Sequence, residues 1–222
     1  ITPKGESEYS YNGLGHRVGM KEHDYQFNPG KQVEYILDLT KDYNNLLQKR
    51  EQGEVQTYLW DRELVGVKHS MTVEEELEEA NQGSSYYLVD ELGSPVRLKG
   101  AGSLSINETY GYDEFGKDLY DNQTKTQPFS FTGYQKDEST GLHYAQARYY
   151  DGNLGRFTGQ DIIKGNIVRP DTLNEYKYCL NNPMKYVDRD GRKEKDEGKP
   201  DEATVDNKPE SDFNYVYYLN AE

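Results

Sequence analysis

Histidine, cysteine and clustered carboxylates are the residues of this chain that could carry chemistry. The four histidines (His16, His23, His69 and His143) are scattered without the spacing of metal ligands. The single cysteine, Cys179, lies in a run with strand character, which favours a small buried residue over a nucleophile. No Gly-x-Ser-x-Gly or phosphate-loop motif occurs. The sequence therefore predicts neither a metal ion nor a cofactor.

One acidic run, residues 72–80, is rich in glutamate. Thr72 and Glu75 have the spacing of a capping box, which predicts a short helix near residues 72–81, inserted between strands. The glutamates could be interpreted as a metal site. Their spacing fixes no coordination geometry, so a solvated helix face is the favoured interpretation.

The pattern that recurs most clearly places Asn or Asp three residues before Gly. It occurs at Asn12 and Gly15, at Asp90 and Gly93, and at Asp113 and Gly116. An Asp or Asn side chain bonds nearby backbone N–H groups, and Gly adopts positive φ, so each pair predicts a turn. Apolar and polar residues alternate before each turn, which indicates a half-buried strand. One hairpin is marginally stable alone, so these hairpins must stack side by side.

Residues 33–68 fit the same plan less regularly. Residues 33–38 and 55–60 have strand character, and residues 51–54 read as a turn before the second strand. Trp60, the only tryptophan, is expected in the core. A ligand platform is the alternative role for its ring.

The composition supports a β fold with an aromatic core. The chain has 222 residues, of which 33% are hydrophobic, and contains 21 tyrosines and 21 glycines. Tyrosine fits a pleated surface, and glycine supplies turns. The formal charge of −14 repels nucleic-acid backbones and anionic membranes, so we expect no nucleic-acid partner. No stretch approaches the ~20 apolar residues of a membrane span. The first residue is Ile1, which favours a piece of a longer polypeptide.

Tyrosine, aspartate and glycine recur in one order over residues 110–192. The segments include Tyr110-Gly111-Tyr112-Asp113, Arg148-Tyr149-Tyr150-Asp151, Gly155-Arg156-Phe157, Asn181-Asn182-Pro183 and Tyr186-Val187-Asp188-Arg189-Asp190-Gly191. They resemble the Rhs/YD-repeat family, and specifically its Rhs repeat-associated core. The resemblance covers residues 9–192 and is most specific over residues 87–192.

The resemblance implies a mainly β fold. Consecutive antiparallel hairpins would form part of a spiral β-shell, a YD-repeat barrel, with an inward C-terminal plug. Residues 1–86 would be shell strands with the helical insert, and residues 87–192 would be the Rhs-associated core and plug. Residues 193–222 begin with a charged run that lacks apolar side chains, so they would be an acidic linker and tail or a remnant of a variable C-terminal domain.

The resemblance also implies a pair of aspartates that cuts the chain just after the core, as an aspartic protease would. Two close carboxylates push their proton affinities apart, so one can hold a proton while the other is ionised. The positions that match this pair are Asp161 and Asp188. The match gives Arg189 and Asp190 as supporting residues, and Gly191, Arg192 and Lys193 as the cleavage region.

A plainer interpretation of Asp161 and Asp188 is that they only fix turns. Arg189 could hold Asp188 ionised as an adjacent cation. Arg148 and Arg156 could support the pair, although ion pairs within the shell are the favoured role for both.

The function implied is structural. The chain would be the shell and plug segment of an Rhs-type polymorphic toxin that encloses a C-terminal effector, with at most a single-turnover autoproteolysis. Its partners would be the rest of the shell, the enclosed toxin domain and, through that domain, an immunity protein. It would be bacterial, and secreted or associated with the cell wall or cell surface. The alternative is an adhesion module that binds glycans or proteins through clustered outward aromatic side chains.

Overall fold

The computed structural model describes residues 6–23, 29–41, 43–71, 84–100, 107–120, 127–192 and 195–196. The helix expected near residues 72–81 lies outside the described residues. The preceding strand ends at Met71. Residues 193–194 and 197–222, which make up nearly all of the expected acidic tail, also lie outside them.

Nine strands form one antiparallel sheet, which we call the wall. In chain order they are β1 (Glu6–Tyr11), β2 (Arg17–His23), β3 (Pro29–Asp38), β4 (Asn45–Glu51), β5 (Glu54–Trp60), β6 (Leu64–Met71), β7 (Ser84–Val89), β8 (Pro95–Gly100) and β9 (Asn107–Thr109). Each strand pairs only with its neighbours in sequence. This order confirms the predicted mainly β fold of consecutive antiparallel hairpins. The strands expected at residues 33–38 and 55–60 lie within β3 and β5.

Tyrosine and aliphatic side chains at alternating positions fill one face of the wall. Tyr58 lies opposite Val67 on the neighbouring strand, and Tyr87 lies opposite Leu98. All four side chains are buried. Aromatic residues that face aliphatic ones across a strand pair stabilise a sheet, so these pairs fix the register of the wall.

Two hairpin turns of the wall, β1–β2 and β7–β8, and one turn that follows β9 repeat one hydrogen-bond pattern. Asp90 Oδ1 accepts bonds from the backbone N–H groups two and four residues ahead, at 3.0 and 2.8 Å. Asn12 and Asp113 make the same pair of bonds, at 2.8 to 3.0 Å. The glycine three residues after each one has φ of 81°, 82° or 83°. The recurring motif is therefore a turn of fixed geometry.

The described residues from 127 onward form a second unit, which we call the terminal lobe. Four short strands make its sheet, namely β10 (Gln135–Lys136), β11 (His143–Ala145), β12 (Arg148–Asp151) and β13 (Arg156–Phe157). A two-stranded ribbon of β14 (Tyr186–Val187) and β15 (Lys195–Asp196) follows. Its core is aromatic, and Phe131, Tyr150 and Tyr178 are among its most buried side chains.

The terminal lobe packs on the buried face of the wall. The ring of Phe129 meets Tyr58, Trp60 and Tyr87 edge-on, with centroids 5.0, 5.4 and 6.3 Å apart. Trp60 also donates from Nε1 to Leu46 O at 2.8 Å. Trp60 thus packs against the core, as the sequence predicts.

The boundary expected between residues 86 and 87 falls inside a strand of the wall. β7 pairs with β6 on one side and with β8 on the other. The sheet therefore continues across that position to β9. A functional division into residues 1–86, 87–192 and 193–222 stays a prediction.

Candidate functional site

A buried arginine, Arg148, is the centre of the candidate site. It is the first residue of β12 and is only 8% exposed. Alternation along β12 places it on the same buried face as Tyr150. The guanidinium carbon lies 3.6 Å from the ring centroid of Phe157. Because a buried cation is costly without partners, its other contacts define the site.

Two aspartates contact the same nitrogen of Arg148. Nη2 lies 2.9 Å from Asp161 Oδ2 and 3.3 Å from Asp188 Oδ2. The Asp188 side chain is almost fully buried, and that of Asp161 is 15% exposed. The two residues that the family resemblance matched to a catalytic pair therefore lie around one cation.

The same guanidinium binds two backbone carbonyls. Nε donates to Gly191 O, and Nη1 donates to Glu175 O at 3.0 Å. The backbone N–H of Asp161 also donates to Glu175 O, at 3.1 Å. These bonds fix the positions of Asp161 and Gly191 relative to the arginine.

Asp188 sits in a turn of the kind that the wall repeats. The backbone N–H of Arg192, four residues ahead, donates to Asp188 Oδ1 at 3.0 Å. Gly191 has φ of 70°. A Cβ on Gly191 would lie 2.5 Å from Ala145 O, so no other residue fits there without movement. Asp188 is thus both a turn residue and a partner of Arg148.

The peptide bond between Gly191 and Arg192 is contacted at both polar atoms. Its carbonyl oxygen accepts the bond from Arg148 Nε. Its N–H donates to Asp188 Oδ1 at 3.0 Å and to Asp190 Oδ1 at 3.1 Å. A cation on a carbonyl oxygen can stabilise negative charge there, and two carboxyl groups lie within hydrogen-bond distance of the peptide nitrogen.

The environment of Asp188 shifts its proton affinity strongly. Burial raises the pKa of Asp188 to about 7, and the adjacent Asp190 carboxylate adds to the rise. The Arg148 guanidinium and the Arg192 N–H oppose the rise. A carboxyl with a pKa near neutrality can give and take a proton at physiological pH.

The other residues of the match differ in where they lie. Arg148 is a cation that lowers the pKa of Asp188. Arg189 instead lines a cavity of about 260 Å³ together with Trp60 and Tyr134. Lys193 lies outside the described residues.

The alternation of residues along β12 indicates from the sequence that Arg148 faces inward, which the family match does not use. In β12, Arg148 stands two residues before Tyr150, and both are buried. An arginine on the inward face of a strand needs carboxylates from elsewhere in the chain. The alternation alone therefore points to Arg148 as a partner of inward aspartates.

The histidines and the cysteine have contacts of their own. His143 is buried, with Nδ1 2.7 Å from Ser130 Oγ, and His16 Nδ1 lies 2.7 Å from Asn44 Nδ2. Cys179 is buried in a tight turn that includes three residues of positive φ, and not in the strand that the sequence predicts. Within the part of the chain that the structure describes, no group of three or more His, Cys, Asp or Glu is arranged to hold a metal ion.

Comparison with known proteins identifies the family. The Teneurin YD-shell family model matches residues 77–184. The tRNA nuclease WapA of Bacillus subtilis (strain 168) is 24% identical in an alignment of 218 residues that covers 86% of this chain and 9% of WapA. The toxin protein Tse5 of Pseudomonas aeruginosa is 32% identical over 108 residues, which cover 48% of this chain and 8% of Tse5. These matches support the Rhs/YD-repeat family.

A solved structure supports the fold of this Rhs/YD-repeat chain. TcdB2-TccC3 without its hypervariable C-terminal region aligns with a TM-score of 0.58 at 20% identity. The alignment covers 83% of this chain and 9% of that one. The wall is therefore a segment of a YD-shell. Among the described residues, no helix has the length and apolar character needed to cross a membrane.

Proposed function

We propose that this chain is the wall and C-terminal plug of a bacterial Rhs-type shell that encloses an effector, and that Asp161 and Asp188 cut the chain close after Gly191. The observation that carries the cut is the position of Arg148. Its guanidinium contacts both carboxylates and the carbonyl oxygen of Gly191.

The enclosing role is supported by the wall and by the relatives. The apolar face of the wall is covered by the terminal lobe, and the ribbon of β14 and β15 carries the chain onward from the site. Two relatives are, by name, a tRNA nuclease and a toxin. The partners proposed for this chain are the rest of its shell, an enclosed toxin domain and an immunity protein for that toxin. The proposed location is outside the bacterial cell or at its wall or surface.

The proposed cut is a hydrolysis in which the two carboxylates exchange protons with water and with the leaving nitrogen. Asp161, the more accessible of the pair, takes a proton from a water molecule whose oxygen attacks the carbonyl carbon. Arg148 stabilises the negative charge that develops on the carbonyl oxygen. Asp188 gives its proton to the nitrogen as the C–N bond breaks. One carboxyl group and one amine result, and the proton balance closes when Asp161 returns a proton to Asp188.

The adhesion alternative predicts clustered outward aromatic side chains, and the described residues give it less support. The exposed tyrosines are Tyr11, Tyr86, Tyr120 and Tyr176. They lie in β1, in β7 and in two separate loops. Rings on four separate elements favour an enclosing wall over a sugar-stacking surface.

Intact-mass measurement of the denatured chain tests the cut. We expect the wild-type chain to give two fragments, the larger of which ends between Gly191 and Lys193. Asp188→Asn should stay intact, because a carboxamide does not supply the proton for the leaving nitrogen. Asp113→Asn is the matched control, since Asp113 makes equivalent turn bonds in the segment that follows β9, at 3.0 and 2.8 Å. A wild-type chain that keeps its full mass, or an Asp188→Asn chain that is cut like wild type, contradicts the proposal.

A further inference from the structure

The loop that follows the candidate site exposes more apolar surface than its position requires. We call residues 162–173 the apolar loop. Its exposed apolar side chains are Ile162, Ile163, Ile167, Val168 and Leu173. Ile167 is 81% exposed and Val168 is 82% exposed. Single exposed aliphatic residues are ordinary, but several within one loop mark a contact surface.

A defined turn presents the two most exposed of these side chains. Arg169 N donates to Asn166 O at 2.8 Å, and Val168 N donates to Asn166 Oδ1 at 2.9 Å. Asn166 N in turn donates to Thr172 Oγ1 at 2.9 Å. The centre of such a turn usually carries Gly, Pro, Asn, Asp or Ser, because these residues favour the turn backbone. The side chains of Ile167 and Val168 take no part in these hydrogen bonds, so they are free to meet a binding partner.

A groove of about 360 Å³ lies beside the apolar loop and carries the opposite sign from most of the protein. The cationic side chains that line it are Lys164, Arg169, Lys177 and Arg192. The carboxylates that line it, Asp161 and Glu175, pair with Arg148 and Lys164. Arg169 pairs with the neighbouring Asp171, so the excess positive charge is that of Lys177 and Arg192. The formal charge of the whole chain is −14. The groove therefore favours an acidic occupant.

We propose that the apolar loop and this groove bind the C-terminal segment of the same chain, residues 197–222. That segment contains seven acidic residues and two lysines. It also contains an aromatic run, Phe213, Tyr215, Tyr217 and Tyr218, with Val216 and Leu219. The acidic part matches the cationic groove, and the aromatic run matches the aliphatic side chains of the apolar loop.

The chain is long enough to make this contact. β15 ends at Asp196, and Arg192, which precedes it closely, lines the groove. The 16 residues between Asp196 and Phe213 can span about 55 Å when extended. Because the segment is tethered, its effective concentration at the loop is in the millimolar range, and a weak contact suffices.

Disulfide trapping tests the contact without relying on the proposed cut. Asp188→Asn is included in every variant so that the segment stays attached. Val168→Cys is combined with Tyr217→Cys, and the rate of disulfide formation within one chain is followed by mass under non-reducing conditions. The matched control pairs Tyr217→Cys with Leu14→Cys, which is 66% exposed on the turn between β1 and β2. The native Cys179 is buried and does not compete.

We expect the Val168→Cys pair to form at least about tenfold faster than the Leu14→Cys pair, because docking raises the local concentration of one thiol at the other. Adding Phe213→Ser and Tyr218→Ser should reduce the rate to that of the control. Equal rates for the two pairs overturn the proposal. A product that links two chains also overturns it, because the occupant would then be a second copy.

Discussion

At the scale of single residues, Asp188 differs from the other turn aspartates only in what surrounds it. Asp113 accepts the backbone N–H of the residue four ahead at 2.8 Å, and Asp188 accepts the same bond at 3.0 Å. Asp188 in addition is buried beside Asp190 and Arg148. The turn fixes the position of the carboxyl group, and the packing of the terminal lobe gives it an unusual proton affinity.

The pH dependence of the proposed cut follows from that affinity. Asp188 can donate a proton only while it holds one, so the wild-type rate should fall as pH rises through the pKa of about 7. Above that value we expect a decrease of about tenfold per unit of pH. Asp190→Asn removes one of the charges that raise the pKa of Asp188, so the decrease should begin at a lower pH.

The measurement is the fraction of cut chain at successive times after refolding at pH 5 to 9. Glu91→Gln is the control, because it makes the same change in net charge on a turn of the wall. If Asp190→Asn and Glu91→Gln have the same profile, Asp190 does not act on the proton donor.

The sequence supplied part of the site at this scale. The family resemblance pointed to Asp161 and Asp188, and the structure places both on Arg148. The sequence favours ion pairs within the shell for Arg148 and does not identify its partners. Those partners lie in segments that only tertiary packing brings together. Local pattern cannot state which carboxylates reach an inward arginine.

At the scale of elements, the repeated turns are alike in their backbone but not in their surroundings. Gly93 and Gly116 have φ of 82° and 83°. No atom lies within 4 Å of a Cβ built on Gly93, whereas a Cβ on Gly116 would lie 2.5 Å from the ring of Phe131. The same motif is therefore a solvent-facing turn in one place and a packing contact in the other.

This difference predicts unequal effects for one substitution. Gly93→Ala should cost about 1–2 kcal/mol of unfolding free energy, because an L-residue is strained at positive φ. Gly116→Ala carries the same strain and adds a clash with Phe131, so it should cost about 1–3 kcal/mol more than Gly93→Ala. Urea unfolding of both variants measures the difference. Equal losses would mean that Phe131 moves aside at no cost.

An element can be predicted from the sequence when the interactions that form it lie within a few consecutive residues. The turns at Asn12, Asp90 and Asp113 were predictable, because their hydrogen bonds lie within five consecutive residues. The tight turns of the terminal lobe were not. Thr132 and Cys179 have positive φ, at 52° and 46°, although neither residue type favours it. Aromatic packing around them overrides their own preference.

At the scale of the whole molecule, the terminal lobe and the first hairpin of the wall hold each other through a buried arginine. Arg17 Nη1 lies 3.7 Å from Asp137 Oδ2, and both side chains are almost fully buried. The guanidinium carbon of Arg17 lies 4.1 Å from the ring centroid of Tyr144. Tyr9 also donates its hydroxyl to Asp137. Residues near the start of the chain thus close against residues far along it.

Removing this cation should therefore loosen two distant elements together. Arg17→Met leaves the Asp137 carboxylate buried without its cation, which we expect to cost about 3–5 kcal/mol. Arg50→Met is the matched control, since Arg50 pairs with Glu34 at 3.5 Å on the exposed surface and should cost less than about 1 kcal/mol. Trp60 fluorescence reports unfolding, because its ring packs on Phe129 where wall and lobe meet.

Hydrogen exchange locates the loss. In Arg17→Met, backbone amides of both the β1–β2 hairpin and the β10–β11 pair should exchange faster, because the Arg17 guanidinium bonds to Gln135 and lies over the ring of Tyr144 across the contact. Faster exchange in only one of the two elements would mean that Arg17 stabilises its own strand and does not join the lobe to the wall. Faster exchange in both elements would show that the terminal lobe and the first hairpin of the wall stabilise each other.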